Sequence, residues 1–232
     1  MGKLLFTFVA LGLLATTVVI ATDADPINDF CVADLTSPIK INGLVCKNPA
    51  TVTGADFAFT GIENAGDTNN SLGIAITPGL PGVSYPGLNT LGLGIARVNF
   101  PGLNTQGLSV ARVDYAVGAL LPPHTHPRAT ELLYVIQGEL YVGFVDTNDK
   151  FYPAVIRKGD VYVFPRGLVH FQFNIGKSPA VALGVLNSQN PGVQLMANAL
   201  FGAQPTIMDA VLAKAFIIPT SEVEIIKKGF GA

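Results

Sequence analysis

Seven short runs rich in Val, Ile, Phe and Tyr follow one another between Leu108 and Asn187, and this rhythm restricts the fold more than any other feature of the chain. The runs are Leu108 to Tyr115, Leu132 to Gln137, Glu139 to Val145, Phe151 to Ile156, Asp160 to Pro165, His170 to Asn174 and Ala180 to Asn187. Between them stand Gly138, Asp146-Thr147-Asn148-Asp149, Lys158-Gly159, Arg166-Gly167 and Gly176-Lys177, the residue types that close tight turns. Many short strands at such spacing predict an antiparallel sandwich or small barrel. A helical period appears only near the C-terminus. Thr206 to Phe216 and Thr220 to Lys228 place Ile207, Val211, Leu212 and Ala215, then Val223 and Ile226, at three- and four-residue intervals before Gly229. The expected fold class is therefore all-β, a barrel with C-terminal α-helices.

Composition narrows the function classes. With 49% hydrophobic and 13% charged residues and a formal charge of -2, the 232-residue chain is neither disordered nor built to bind nucleic acid, which needs clustered Lys and Arg. Residues 1–21 read as a secretory signal: Lys3, an apolar run from Leu4 to Leu14, then Val19 and Ala21 ahead of the expected cut. A membrane anchor is the alternative, but Thr7, Thr16 and Thr17 interrupt the run and no basic flank follows, so no membrane span is expected. Residues 22–232 then form one domain, with an N-terminal disulfide loop at 22–84, a barrel at about 85–195 and helices at about 205–229. Secretion makes Cys31 and Cys46, the two cysteines of the chain, read as a disulfide, worth roughly 3 kcal/mol by loop entropy, with two free buried thiols as the alternative. Asn69-Asn70-Ser71 is an N-glycosylation sequon in a polar surface stretch, so Asn69 is a candidate glycan site.

One repeat stands out. Residues 86–100 (PGLNTLGLGIARVNF) and 101–115 (PGLNTQGLSVARVDY) agree at ten of fifteen positions, too short and too few for a solenoid. The expectation is that the second copy forms the barrel strand next to the histidine-containing segment, while the first adds an edge strand or bulges out as a loop.

The chain has three histidines, His124, His126 and His170, all within the β region. Residues two apart on a strand share a face, so His124 and His126 can aim both imidazoles at one interior point. Glu131 opens the next apolar run, where an inward carboxylate needs a partner, and His170 opens a later strand. Three imidazoles and a carboxylate converging in a small barrel form a first-row metal site, and four protein ligands leave an octahedral metal two open positions. Two surface histidines arising by chance on one strand are the alternative reading of His-x-His alone.

The spacing Gly118-x5-His124-x-His126-x4-Glu131-x6-Gly138, followed by Gly159-x5-Pro165-x-Gly167-x2-His170-x3-Asn174, resembles the two cupin motifs in their germin form. The stretch Asp29 to Leu35 with Cys46 and the run Asn187-Ser188-Gln189-Asn190-Pro191-Gly192 extend the resemblance over essentially the whole mature chain. It implies a plant germin-like protein of the apoplast and cell wall: a cupin jelly-roll β-barrel binding one manganese ion per subunit through His124, His126, Glu131 and His170. It also implies a Cys31–Cys46 disulfide and a homo-oligomer, a hexamer built as a trimer of dimers held partly by the C-terminal helices. Asn174 is either a second-layer residue near the metal or the cap of a turn.

Germins proper oxidise oxalate, and other members of the family dismutate superoxide. The oxalate oxidases hold their substrate with two Asn side chains, and the matching positions here are Ala111 and Leu121. A buried oxalate would lose roughly 1 to 3 kcal/mol per missing hydrogen bond, so oxalate oxidation is disfavoured. Superoxide, a small anionic substrate, asks only for a redox metal, an open position, a proton source and exclusion of larger reductants. An apolar lining of Ala111, Leu121, Leu133, Val135, Val163 and Val169 suits it. Competing readings are a cell-wall structural, receptor-type or storage protein, and nucleotide-sugar phosphodiester hydrolysis, for which Arg112, Arg128 and Arg166 are the basic side chains to consider.

Overall fold

A computed structural model describes residues 30, 32–39, 45–57, 64–77 and 106–231. Its architecture is two five-stranded antiparallel sheets closed face to face, followed by helices. One sheet runs in the order β1 (Ile74–Thr77), β2 (Ser109–Tyr115), β9 (Ala180–Leu186), β4 (Glu131–Gln137), β7 (Val161–Phe164). The other runs β10 (Gln194–Leu195), β3 (Leu120–Thr125), β8 (Val169–Asn174), β5 (Glu139–Val145), β6 (Phe151–Arg157). All the strand pairings are antiparallel.

The period-2 alternation read from the sequence decides which side chains enter the barrel. Along β4, Glu131, Leu133 and Val135 are buried while Leu132, Tyr134 and Ile136 face out. Along β8 the buried set is His170, Gln172 and Asn174. The space between the sheets is filled by Val113, Tyr115, Leu121, Leu133, Val135, Leu140, Val142, Ile156, Phe164 and Ala182, which form a single apolar cluster.

The expected strands all form, to within a few residues of their expected ends. The elements beyond the expected ones are two short 3-10 helices (Pro49–Thr51 and Gly54–Phe57) and β1, all inside the stretch read as the N-terminal loop, the two-residue β10, and a helix α1 (Met196–Phe201) before the two expected ones. Helices α2 (Asp209–Phe216) and α3 (Thr220–Gly229) meet α1 through Phe201, Leu212 and Val223. Lys227 is buried among them, where its ammonium bonds Asp209 and the Ile207 carbonyl.

The second copy of the repeat forms a barrel strand, as expected, but not the ladder neighbour of the histidine-bearing one. The first copy, residues 86–100, lies outside the described residues. The second supplies β2, but β2 pairs with β1 and β9, whereas the histidine-bearing β3 belongs to the opposite sheet. Ala116 to Ala119 make the turn between them, so chain adjacency did not become ladder adjacency.

Cys46 is disulfide-bonded and forms an isolated bridge with Ala33. The other cysteine of the sequence, Cys31, lies outside the described residues. Asn69 is exposed, in a loop held by Asn70 bonding the Ile74 carbonyl.

Candidate metal centre

His124, His126, Glu131 and His170 are all buried, and one potential ligand atom from each lies within 4.8 Å of the others. Both sheets contribute. His124 on β3 stands directly opposite His170 on β8 in the ladder, their rings 4.2 Å apart, and Glu131 reaches in from β4 of the facing sheet. A register shift between Leu121 and His124, where Pro122 and Pro123 cannot donate to the ladder, turns His124 inward. His126 falls one residue past the end of β3. It therefore owes its position to the adjoining loops and not to the strand periodicity that suggested it.

Those loops are tied together by the backbone. The His126 carbonyl accepts from the Gly167 and Ala129 amides, and Arg128 donates its amide to Pro191 O. Gly192, at φ +71°, offers its carbonyl to His126 Nδ1 at 2.6 Å; a side chain there would be strained and would meet the Arg128 guanidinium. The other two histidines are held the same way, His124 Nδ1 on Pro122 O at 2.8 Å and His170 Nδ1 on Leu168 O at 2.9 Å. Each Nδ1–H donates to a carbonyl, which leaves Nε2 of all three rings to face the centre.

Electrostatics follow from this geometry. Burial pushes His124 well below its ordinary 6.5, helped by the neighbouring His170 and His126, so it stays a neutral ligand. Burial also works against a charge on His126, but Glu131 Oε2 at 2.9 Å from Nε2 overcomes it and raises this histidine. When protonated, His126 can donate from Nδ1 to the Gly192 carbonyl and from Nε2 to Glu131. Burial alone would raise Glu131, yet the close approach of His126 at 2.9 Å and His170 at 3.3 Å holds its carboxyl far below the usual carboxylate range. A divalent cation bound here would take the place of a proton between His126 and Glu131.

The donor set of three imidazoles and a carboxylate, buried and converging, suits a divalent first-row metal. Phe164, the inward residue at the end of β7, stacks on His170 with centroids 4.3 Å apart and planes 18° from parallel. Gln172, completely buried one inward step from His170, has neither amide atom hydrogen-bonded to protein. Sequence reading passed over both, although the inward alternation counted from His170 points to Gln172. Two lining residues were misassigned: Val163 is 47% exposed, and Val169 precedes the inward His170. Both lie on the outward phase of their strands. Ala111, Leu121, Leu133 and Val135 lie as expected in or beside the core.

Asn174 is engaged away from the four-donor cluster. Its amide donates to Ala116 O at 2.8 Å and Ser178 O at 3.0 Å and accepts from the Gly176 amide, so it ties two turns at the far end of β8. The basic side chains are also accounted for. Arg112 pairs with Asp114 at 2.8 Å, Arg128 bonds Asn190, and Arg166 donates to Pro127 O.

Comparison with known proteins agrees with this site. A cupin family model matches residues 94–224. Germin-like protein 5-1 of Oryza sativa subsp. japonica is 50% identical over 207 residues, covering 89% of this chain and 86% of its own. Germin-like protein subfamily 2 member 4 of Arabidopsis thaliana is 46% identical over 226 residues, 97% and 94% of the two chains. The chain belongs to the germin-like family of cupins. An oxalate oxidase structure superposes with a TM-score of 0.79 at 40% identity, covering 90% of this chain and 98% of that one. The crystal structure of Peruvianin-I, described as a cysteine peptidase from Thevetia peruviana latex, gives 0.64 at 36% identity over 75% and 98%. With Cys46 in a disulfide, this germin-like chain does not offer it as a thiolate nucleophile.

Proposed function

We propose that this germin-like protein is a secreted, manganese-binding superoxide dismutase of the extracellular space, apoplast and cell wall. The observation that carries the reading is a buried set of three imidazole Nε2 atoms and one carboxylate, beside positions 111 and 121 that bear no amide. Manganese, when bound, supplies one-electron exchange between its divalent and trivalent states. His124 and His170 would hold it from one sheet and His126 from the loop, and Glu131 would contribute the single negative charge.

The surroundings select for size. Ala111, Leu121 and Leu133 present methyl and isobutyl groups, and Gly184 presents none, so a dianion that needs several hydrogen bonds loses its partners there. A diatomic anion needs fewer. Gln172 is the amide available to orient a small polar molecule inside the barrel. Arg112, Arg128 and Arg166 are already bound to protein groups, which counts against nucleotide-sugar phosphodiester hydrolysis.

Assembly as a homo-oligomer, a hexamer in this family, is part of the proposal. Leu132, Tyr134, Ile136, Val161, Val163 and Val185 make an apolar outer face on one sheet, and Val211, Phe216 and Ile225 are exposed on the helices. The same faces would serve a cell-wall structural or storage protein, the alternative reading. Glycosylation at Asn69, cleavage after Ala21 and the Cys31–Cys46 pairing complete the extracellular picture.

Elemental analysis of the native protein beside a superoxide assay, before and after chelation, tests the function. One manganese per chain with chelation-sensitive dismutation is the expected result. A fully loaded protein no more active than free Mn(II) would refute dismutation and leave the structural or storage role. Parallel assays with oxalate and a nucleotide sugar are expected to be silent.

A further inference from the structure

Strand β9 carries a glycine where its inward row passes the metal site. Ala180, Ala182, Gly184 and Leu186 face the barrel interior, and Gly184 sits in register between Ala111 of β2 and Leu133 of β4. Its φ lies outside the left-handed region, so the backbone does not require glycine. What requires it is space. A Cβ at this position would lie 2.9 Å from Glu131 Oε1 and 3.7 Å from Glu131 Cδ.

Ordinarily the end of a Glu side chain swings away from such a contact at little cost. Glu131 has no such freedom, because its other oxygen, Oε2, is held 2.9 Å from His126 Nε2 and 3.3 Å from His170 Nε2. The carboxylate is rigid and planar, so relieving Oε1 displaces Oε2 from both histidines. On the other side, the Ala111 carbonyl would stand 3.9 Å from the added Cβ, in ordinary contact, so the crowding falls on the carboxylate. We infer that Gly184 is a positioning residue of the metal site: its missing side chain fixes the rotamer in which Glu131 meets His126 and His170.

As a statement about metal binding the inference rests on the function proposed above, but its structural part can be tested without metal. The experiment measures Mn(II) affinity calorimetrically, and the melting temperature of the metal-free protein, for wild type, Gly184→Ala, Glu131→Ala and the double variant. Gly184→Ala is expected to weaken Mn(II) binding at least about tenfold, the scale seen when groups that orient a metal ligand are removed. It should lower the metal-free melting temperature when Glu131 is present and leave it unchanged when residue 131 is Ala, since the crowded carboxylate is then gone. Mn(II) binding within twofold of wild type would overturn the inference, as would an equal loss of stability in both backgrounds, which would make Gly184 a requirement of the sheet. A wild type that binds no Mn(II) would sink the proposed function, while the metal-free melting comparison would still decide the role of Gly184.

Discussion

Proton balance at His126 sets how the centre responds to pH. Its pKa is raised above 6.5 by Glu131, so the stability it lends to the metal-free protein is complete below 6.5 and disappears as pH rises through the folded value. His124 has the opposite sign: burial depresses it, and the metal-free fold loses stability as pH falls below 6.5 because the unfolded chain takes a proton that the fold refuses. Metal must displace the His126 proton. Calorimetric titrations with Mn(II) in buffers of differing ionisation enthalpy should therefore show proton release on metal binding that declines as pH rises, with affinity rising over the same interval. Gln172 yields a second expectation. A buried amide without protein partners costs roughly 1 to 3 kcal/mol, so Gln172→Leu should raise the urea midpoint of the metal-free protein. A lower midpoint would mean that an internal water satisfies the amide.

Strand phase is the property that places the site, and the sequence carries it most clearly along β8, where apolar Val169, Phe171 and Phe173 alternate with polar His170, Gln172 and Asn174; along β4 only Glu131 marks the inward phase of an otherwise apolar run. It was not readable at β3, where two prolines and a shifted register break the period. Nor was it readable at β7, whose Val-Tyr-Val-Phe run is apolar in both phases. There the apolar run points to Val163 as readily as to Phe164, and the fold turns Phe164 to the site, where it stacks on His170. Phe164→Ala should cost about 3 to 5 kcal/mol in denaturant unfolding as a core truncation, and it should also weaken Mn(II) binding by freeing the His170 ring. Phe164→Leu, which keeps most of the volume, should recover the stability more fully than the affinity. The short elements β1, β10 and α1 were invisible for another reason: segments of two to six residues carry too little pattern to be distinguished from loops.

At the scale of the molecule, the outer faces matter most. Leu132 and Val163 are directly paired across β4 and β7, both substantially exposed, in the middle of an apolar sheet surface. Charging both, as Leu132→Asp with Val163→Asp, should yield a smaller species than wild type in sedimentation velocity while leaving the far-ultraviolet circular dichroism unchanged. A variant that sediments like wild type would place any assembly on another surface. The disulfide acts at the same scale, tying the N-terminal segment by the Ala33–Cys46 bridge. Reduction is expected to cost about 3 kcal/mol of stability without disturbing the metal ligands, measurable as a shift in the denaturation midpoint.

Residue type and spacing alone determined the all-β class, the C-terminal helices and which four side chains are the candidate donors, because these depend on local period and on the scarcity of histidine in the chain. Contacts between residues distant in sequence decided the rest. Only the closed barrel puts β2 in the sheet opposite β3, brings the Gly192 carbonyl to His126, sets Phe164 against His170 and leaves room at Gly184 for Glu131. Those distances are set by how two sheets pack, and a one-dimensional pattern carries periodicity but not the separation between faces.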